Sequence, residues 1–305
     1  MHRLIFSLWV LFTGTSLMAK GKDSSVFFAL RDAENKLKMI VPDIVGAETD
    51  EQRTGASWLT FKTLDSLLQV PESFDYPWDS LRTRTISIMI SPDKKVKFYT
   101  WNLVLTNGNF KHFGFLQVRK RSSLELYPLL DTAKKFNTDL LDAELETADW
   151  FGALYYKIVP FKQKGQKRYL LMGFDGSTIH SNKSVLDVLW FAKDGPRFGI
   201  PAFRTSDADP SAECRVVYEF HNDVKMLPYY EANSDVLIVD KLTPAFPEVT
   251  GNFWYYIPSG DFYMYKKNKR GTWVRSEVTD WDMGQGEKPE IKKARPSPET
   301  DPANR

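Results

Sequence analysis

Apolar residues recur along this chain with two periods, and the period changes once. Between residues 24 and 81 they return every three or four positions. SSVFFALRDAENKLKMI and TGASWLTFKTLDSLLQV each lay an apolar stripe along one side of a helix, with serines suited to capping ahead of the first. Pro71 and Pro77, in PESFDYPWDS, close that region. Between residues 84 and 278 the alternation is twofold, in RTISIMI, VKFYTWNLVL, FKHFGFLQV, FGALYYKIVPF, RYLLMGF, SVLDVLWFA, CRVVYEF, DVLIVDKL, NFWYYI, DFYMYKK and TWVRSEV. Turn signals separate these runs: Asn107-Gly108, Asp175-Gly176, Asp194-Gly195 and Pro258-Ser259-Gly260. Short runs joined by short turns pair antiparallel, because parallel neighbours need crossovers of about a dozen residues or more. The pattern therefore predicts a mainly β protein, an antiparallel meander behind N-terminal helices. Only 131–147, DTAKKFNTDLLDAELET, breaks the rhythm, and it fits a short helix or a long surface loop.

Two hairpins carry most of the aromatic residues. Asn107-Gly108, read as a two-residue type I′ turn, pairs Leu105 with Phe110, Leu103 with His112, Trp101 with Gly114 and Tyr99 with Leu116. That register puts His112 on an apolar face with no carboxylate beside it, a scaffold position rather than a general base. Pro258-Ser259-Gly260, read as a second tight turn, pairs Ile257 with Asp261. Trp254, Tyr256, Phe262 and Met264 then form a core face, and Tyr255, Tyr263, Tyr265 and Asp261 share the other with Phe253. Tyrosine-rich faces suit half-wet surfaces, so Tyr255, Tyr263, Tyr265 and Asp261 are the candidate ligand-binding set.

The ends extend the picture. Met1-His2-Arg3, the apolar run from Leu4 to Met18 and the small Ala19 have the order of an export leader. The run is shorter than the roughly 20 residues a spanning helix needs, so the chain is not expected to be an integral membrane protein once the leader is cleaved. Residues 284–305, polar and rich in proline, lack the apolar surface to offset ordering entropy and are expected to be a disordered tail. The expected organisation is a signal peptide at 1–19, a helical region at 20–81, an antiparallel β domain at 82–283 and the tail at 284–305.

Charge and chemistry then narrow the function. The chain carries 41 Lys and Arg against 39 Asp and Glu, with no basic stripe, which argues against a nucleic-acid partner. Its single cysteine, Cys214, excludes an internal disulfide and sits in an alternating run, where a buried inert thiol is expected. No nucleophile elbow, zinc-protease helix or phosphate loop occurs. His112, His180 and His221 stand far apart in sequence, so no metal and no cofactor are expected. Asp207 and Asp209 read as a polar loop, since their spacing matches no calcium loop. Asp175, Asp187 and Glu219 lie in or beside strands, where a carboxylate pair could serve glycoside hydrolysis.

The segment ISPDKKVKFYTW looks like the strand openings of periplasmic β-propeller proteins, though it occurs once, so the fold is expected to be a large sandwich, barrel-like or a degenerate propeller. Together with the leader, ESFDYPWDSL, ISPDKKVKFYTWNL, FGFLQV, WFGALYYKI, YLLMGFDG and RFGIPAF, across about 70–280, resemble a group of exported proteins of Gram-negative bacteria with no assigned activity. The resemblance implies a location, in the periplasm or outside the cell, and no catalytic residues. The expected function is a non-enzymatic binding or interaction protein of the cell envelope, its partner a carbohydrate or another envelope protein. The alternative is a carboxylate-dependent, glycosidase-like hydrolase on a β scaffold.

Overall fold

Three helices open the described chain, which comprises residues 24–82, 85–132 and 138–278 of this computed structural model; the expected leader and tail lie outside it. They are α1 (Ser24–Ile40), α2 (Asp43–Gly46) and α3 (Asp50–Leu68). α3 begins where the Gln52 N–H donates to the Thr49 hydroxyl and the Thr49 N–H to the Gln52 side chain, a capping box. Its Ala56, Thr60, Leu64 and Leu68 recur every four residues and are buried, the stripe that the sequence period requires. Among the described residues no helix is long and apolar enough to cross a membrane.

The strands form three sheets, antiparallel but for one pair. The first is the meander β1 (Ile86–Ile90), β2 (Val96–Val104), β3 (Phe110–Arg119) and β4 (Leu124–Leu130). The second holds β5 (Leu154–Gln163), β6 (Gln166–Asp175), β7 (Ser181–Phe191) and β10 (Val216–His221), with β8 (Pro196–Phe198) against β7. The third runs β11 (Tyr229–Glu231), β12 (Val236–Pro244), β13 (Tyr256–Lys267), β14 (Trp273–Glu277) and β9 (Phe203–Arg204), only the last pair being parallel. β4 escaped the sequence reading because Pro128 interrupts its run; it is an edge strand, where a proline is tolerated.

Alternation along the strands produces a four-layer, sandwich-like stack. Tyr99, Trp101, Leu103 and Phe115 of the first sheet pack under the helices with Leu30, Leu37 and Leu64. Their neighbours Val96, Phe98, Leu116 and Val118 meet Ile158, Tyr169, Leu171 and Val185 of the second sheet. The other face of the second sheet, with Val159, Leu170, Met172 and Val188, meets Leu237, Val239, Tyr265 and Trp273 of the third. The second sheet is thus covered on both sides.

Two turns differ from the sequence reading, and both change which residues meet. Leu105 N–H donates to Asn109 O (2.8 Å) and Gly108 N–H to Leu105 O (2.9 Å), so the β2–β3 loop has three residues, Thr106-Asn107-Gly108. This is a type I turn with Gly108 in the left-handed bulge position (φ 80°). The extra residue moves the register by one: Trp101 opposes Phe113 and Asn102 opposes His112. A one-residue slip exchanges faces, so His112 leaves the Trp101 side and points at the second sheet. The second expected turn is no turn at all. Tyr256–Lys267 is one strand, β13, because β12 pairs with both of its halves and Ser259, Gly260 and Asp261 bulge out between the Pro258 and Phe262 pairings. Phe253, Trp254 and Tyr255 instead form a 3-10 turn ahead of it.

Buried polar groups tie the layers together. Lys97 crosses from β2 to the helical layer, its ammonium donating to the carbonyls of Phe74 (3.0 Å) and Tyr76 (2.8 Å). Burial pushes its pKa down to about 7. Gln117 receives a hydrogen bond from the Tyr99 hydroxyl (3.0 Å) and donates to Leu68 O and the Ser73 hydroxyl (both 2.8 Å). Asp187 and Arg215, both wholly buried, form an ion pair at 2.7 Å.

Two outcomes are expected. The unfolded state holds the Lys97 proton up to about pH 10.4 while the folded state releases it near pH 7, so this residue's contribution to stability rises with pH between those values, by up to about 1.4 kcal/mol per unit. Denaturant titrations from pH 6 to 10 should show that slope in the native chain relative to Lys97→Met; parallel curves refute it. Asp187→Asn strands the Arg215 charge in the interior and should lower unfolding free energy by about 3–5 kcal/mol in guanidinium titration.

Candidate functional site

β10 is an edge strand of the second sheet, and beyond its open edge lies a cavity of about 640 Å³. Consecutive residues of β10 line it, because it wraps around the strand: Val217 and Glu219 look toward the first sheet, Tyr218 toward the third. Leu140, Leu141 and Phe151 form one lip. That lip is held by Arg215, whose guanidinium donates to Leu140 O and whose N–H donates to Leu141 O (2.9 Å). The opposite wall is the third sheet, with Leu242, Tyr256, Tyr263 and Arg275, and Phe253 of the 3-10 turn adds an exposed ring.

The charged groups of the cavity follow from strand register. Asp175 on β6 pairs with Lys183 on β7, and Lys183 pairs with Glu219 on β10, so the three form one row across the sheet. Lys183 Nζ lies 3.8 Å from Glu219, which also accepts from the Ser181 hydroxyl. Asp175 accepts from the Ser177 N–H (2.8 Å) and is fully buried at the floor. On the far wall the Tyr218 and Tyr265 hydroxyls share a hydrogen bond of 2.7 Å, and burial raises both phenol pKa values. Arg275 stacks over the Tyr263 ring at 4.4 Å.

Beneath the floor sits the group that the corrected register exposes. His112 is wholly buried; its N–H donates to Asp131 (2.9 Å), its Nδ1 is 3.3 Å from the same carboxyl oxygen, and its Nε2 faces Asp175 at 3.6 Å. One imidazole therefore joins the first sheet, the segment after β4 and the end of β6. Gly152 makes room for it: a Cβ there would lie 2.8 Å from the Asp131 carboxyl, and its φ of 84° suits glycine.

The sequence-derived candidates scatter over this geometry. Tyr263 is on the cavity wall. Tyr265 is buried behind it, bonded to Tyr218. Tyr255 is exposed on the 3-10 turn and Asp261 is exposed on the β13 bulge. Of the carboxylates, Asp175 and Glu219 both line the cavity, whereas Asp187 is enclosed with Arg215. His180 and His221 back the turn, their rings 5.0 Å from Trp254 and 6.3 Å from Tyr255. Cys214 is buried, donates to Asp142 O (3.2 Å) and has its pKa pushed up to about 11 by burial, as an inert thiol should. Among the described residues no cluster of His, Cys, Asp and Glu could hold a metal ion. Lys183, Tyr218, Arg275 and the His112–Asp131 contact were not found from sequence, since each depends on strand order or on the three-residue turn.

The arrangement is a mixed aromatic and charged cavity beside a sheet edge. Comparison with protein-family models, with curated proteins and with solved structures finds no match to this chain.

Replacing the buried imidazole should be expensive. His112→Leu is expected to lower unfolding free energy by about 3 kcal/mol, because it leaves two enclosed carboxyl groups facing a hydrocarbon. Guanidinium titration measures it, and a change within about 0.5 kcal/mol would show the cluster to be incidental.

Proposed function

We propose that this chain is an exported, non-enzymatic binding protein of the cell envelope and that the cavity beside β10 takes a carbohydrate. The observation that carries the reading is the pairing of ring faces with charged hydrogen-bonding groups in one cavity. Tyr263, Tyr256 and Phe253 supply aromatic surface, and Lys183 and Glu219 supply donors and acceptors. Sugar rings have apolar C–H faces and hydroxyl edges, and such a lining answers both. The volume, about 640 Å³, suits a ligand of one to a few rings. Tyr255 and Asp261 extend the contact surface outward, and Tyr265 fixes Tyr218 from behind. Export rests on the leader pattern at 1–19.

A second reading, a carboxylate-dependent hydrolase, is favoured by one observation: Asp175 and Glu219 both line the cavity. One strand, β7, lies between them, and two ordinary strand spacings make about 10 Å, which is at the wide limit for such pairs. Asp175 is also covered and engaged with Ser177, a poor position for protonating a glycosidic oxygen.

A glycan array followed by calorimetry on the mature chain tests the binding reading. Tyr263→Ala should weaken the captured glycan about tenfold, roughly 1.4 kcal/mol, with the melting profile retained. Unchanged affinity in Tyr263→Ala and Phe253→Ala would remove the cavity from the proposal. Release of reducing ends, abolished by Glu219→Gln, would establish the hydrolase instead.

A further inference from the structure

Four charged side chains line the cavity, and three of them have a polar partner at hand. Lys183 and Glu219 face each other at 3.8 Å, and Asp175 has the His112 imidazole behind it at 3.6 Å. Arg275 differs. Among the described residues no carboxylate comes within ion-pair distance of it; Glu213 feels its field without reaching it. Its charge is instead half-buried against the Tyr263 ring, beside the Tyr218–Tyr265 hydroxyl pair.

We infer that Arg275 is an acid-binding group, and that the cavity's ligand is a sugar bearing a carboxylate, phosphate or sulfate. The inference deepens the proposed carbohydrate function and rests on it. A guanidinium that is partly desolvated and not neutralised has a strong preference for an anion, and its planar fork matches the paired oxygens of these groups. The contact with the Tyr263 ring already restrains the guanidinium, so less side-chain freedom is lost when an anion docks. Of the Tyr218–Tyr265 pair only Tyr218 lines the cavity, and with Tyr265 donating to it the Tyr218 hydroxyl keeps its own proton for a ligand. The site thus lines one cavity with a guanidinium and a tyrosine hydroxyl as donors together with ring faces. A ring whose acidic substituent points at β14 satisfies both.

The test uses sugar pairs that differ only in the acid group: glucuronate against glucose and galacturonate against galactose oligomers on the array, and sulfated against unsulfated glycans. Captured pairs are then titrated by calorimetry. Acidic members should bind at least tenfold tighter than their neutral partners, with affinity falling as salt rises. Arg275→Met, which removes the charge and keeps most of the stem's length, should bring the acidic member's affinity down to that of its neutral partner titrated on the same variant; Arg275→Lys should retain part of the difference. Melting curves of both variants check the fold. Equal capture of acidic and neutral members, insensitive to Arg275→Met, overturns the inference and leaves the carbohydrate reading intact. Arg275-dependent binding of citrate or phosphate with no glycan captured keeps the acid site and overturns the sugar. No binding of any of these overturns both.

Discussion

Covering the second sheet on both faces keeps water from the polar side chains in the middle of the stack. A buried charge without a partner costs several kcal/mol, so each must be answered within the protein. Asp187 in the middle of β7 is met by Arg215, and the same guanidinium reaches the carbonyl of Leu140. Asp175 at the end of β6 is met by His112 of the first sheet, which also reaches Asp131 just after β4. These answers bind the layers to one another. They also place the parts of the cavity, since the Leu140–Leu141 lip hangs on Arg215 and the floor rests on His112.

The cavity lies at the edge of a layer. β10 ends the second sheet, and Tyr263 and Arg275 of the third line the space beside it. The space between is walled by aromatic rings on one side and by the Asp175–Lys183–Glu219 row on the other. The charged row is a product of register alone: three residues far apart in the chain become neighbours because β7 sits between β6 and β10. Function is read here from a place where one layer ends.

What could be read from sequence was whatever depends on period. Mainly β architecture, antiparallel pairing, the helical start and the burial of Cys214 all follow from alternation and turn residues near in sequence. The placement of His112 did not, because Asn-Gly serves a two-residue and a three-residue loop alike, and a single residue's difference reverses every side chain beyond it. The Pro258-Ser259-Gly260 bulge was unreadable for a related reason. A turn and a bulge use the same residues, and only the length of β12 lying alongside decides between them. Asp175 and Glu219 were visible as candidates one by one; their row, Tyr218 opposite and Arg275 beyond required the order of strands, which no local pattern encodes.

The helical layer covers a face of the first sheet that carries Trp101, Phe113 and Phe115, and it precedes that sheet in the chain. During synthesis the roof therefore leaves the ribosome before the floor it shelters. By the time β2 and β3 zip together, the surface that will hide their rings is already waiting. The aromatic face never has to stand bare for want of a cover still to be made, which is a safeguard against clumping written into the order of the polypeptide itself.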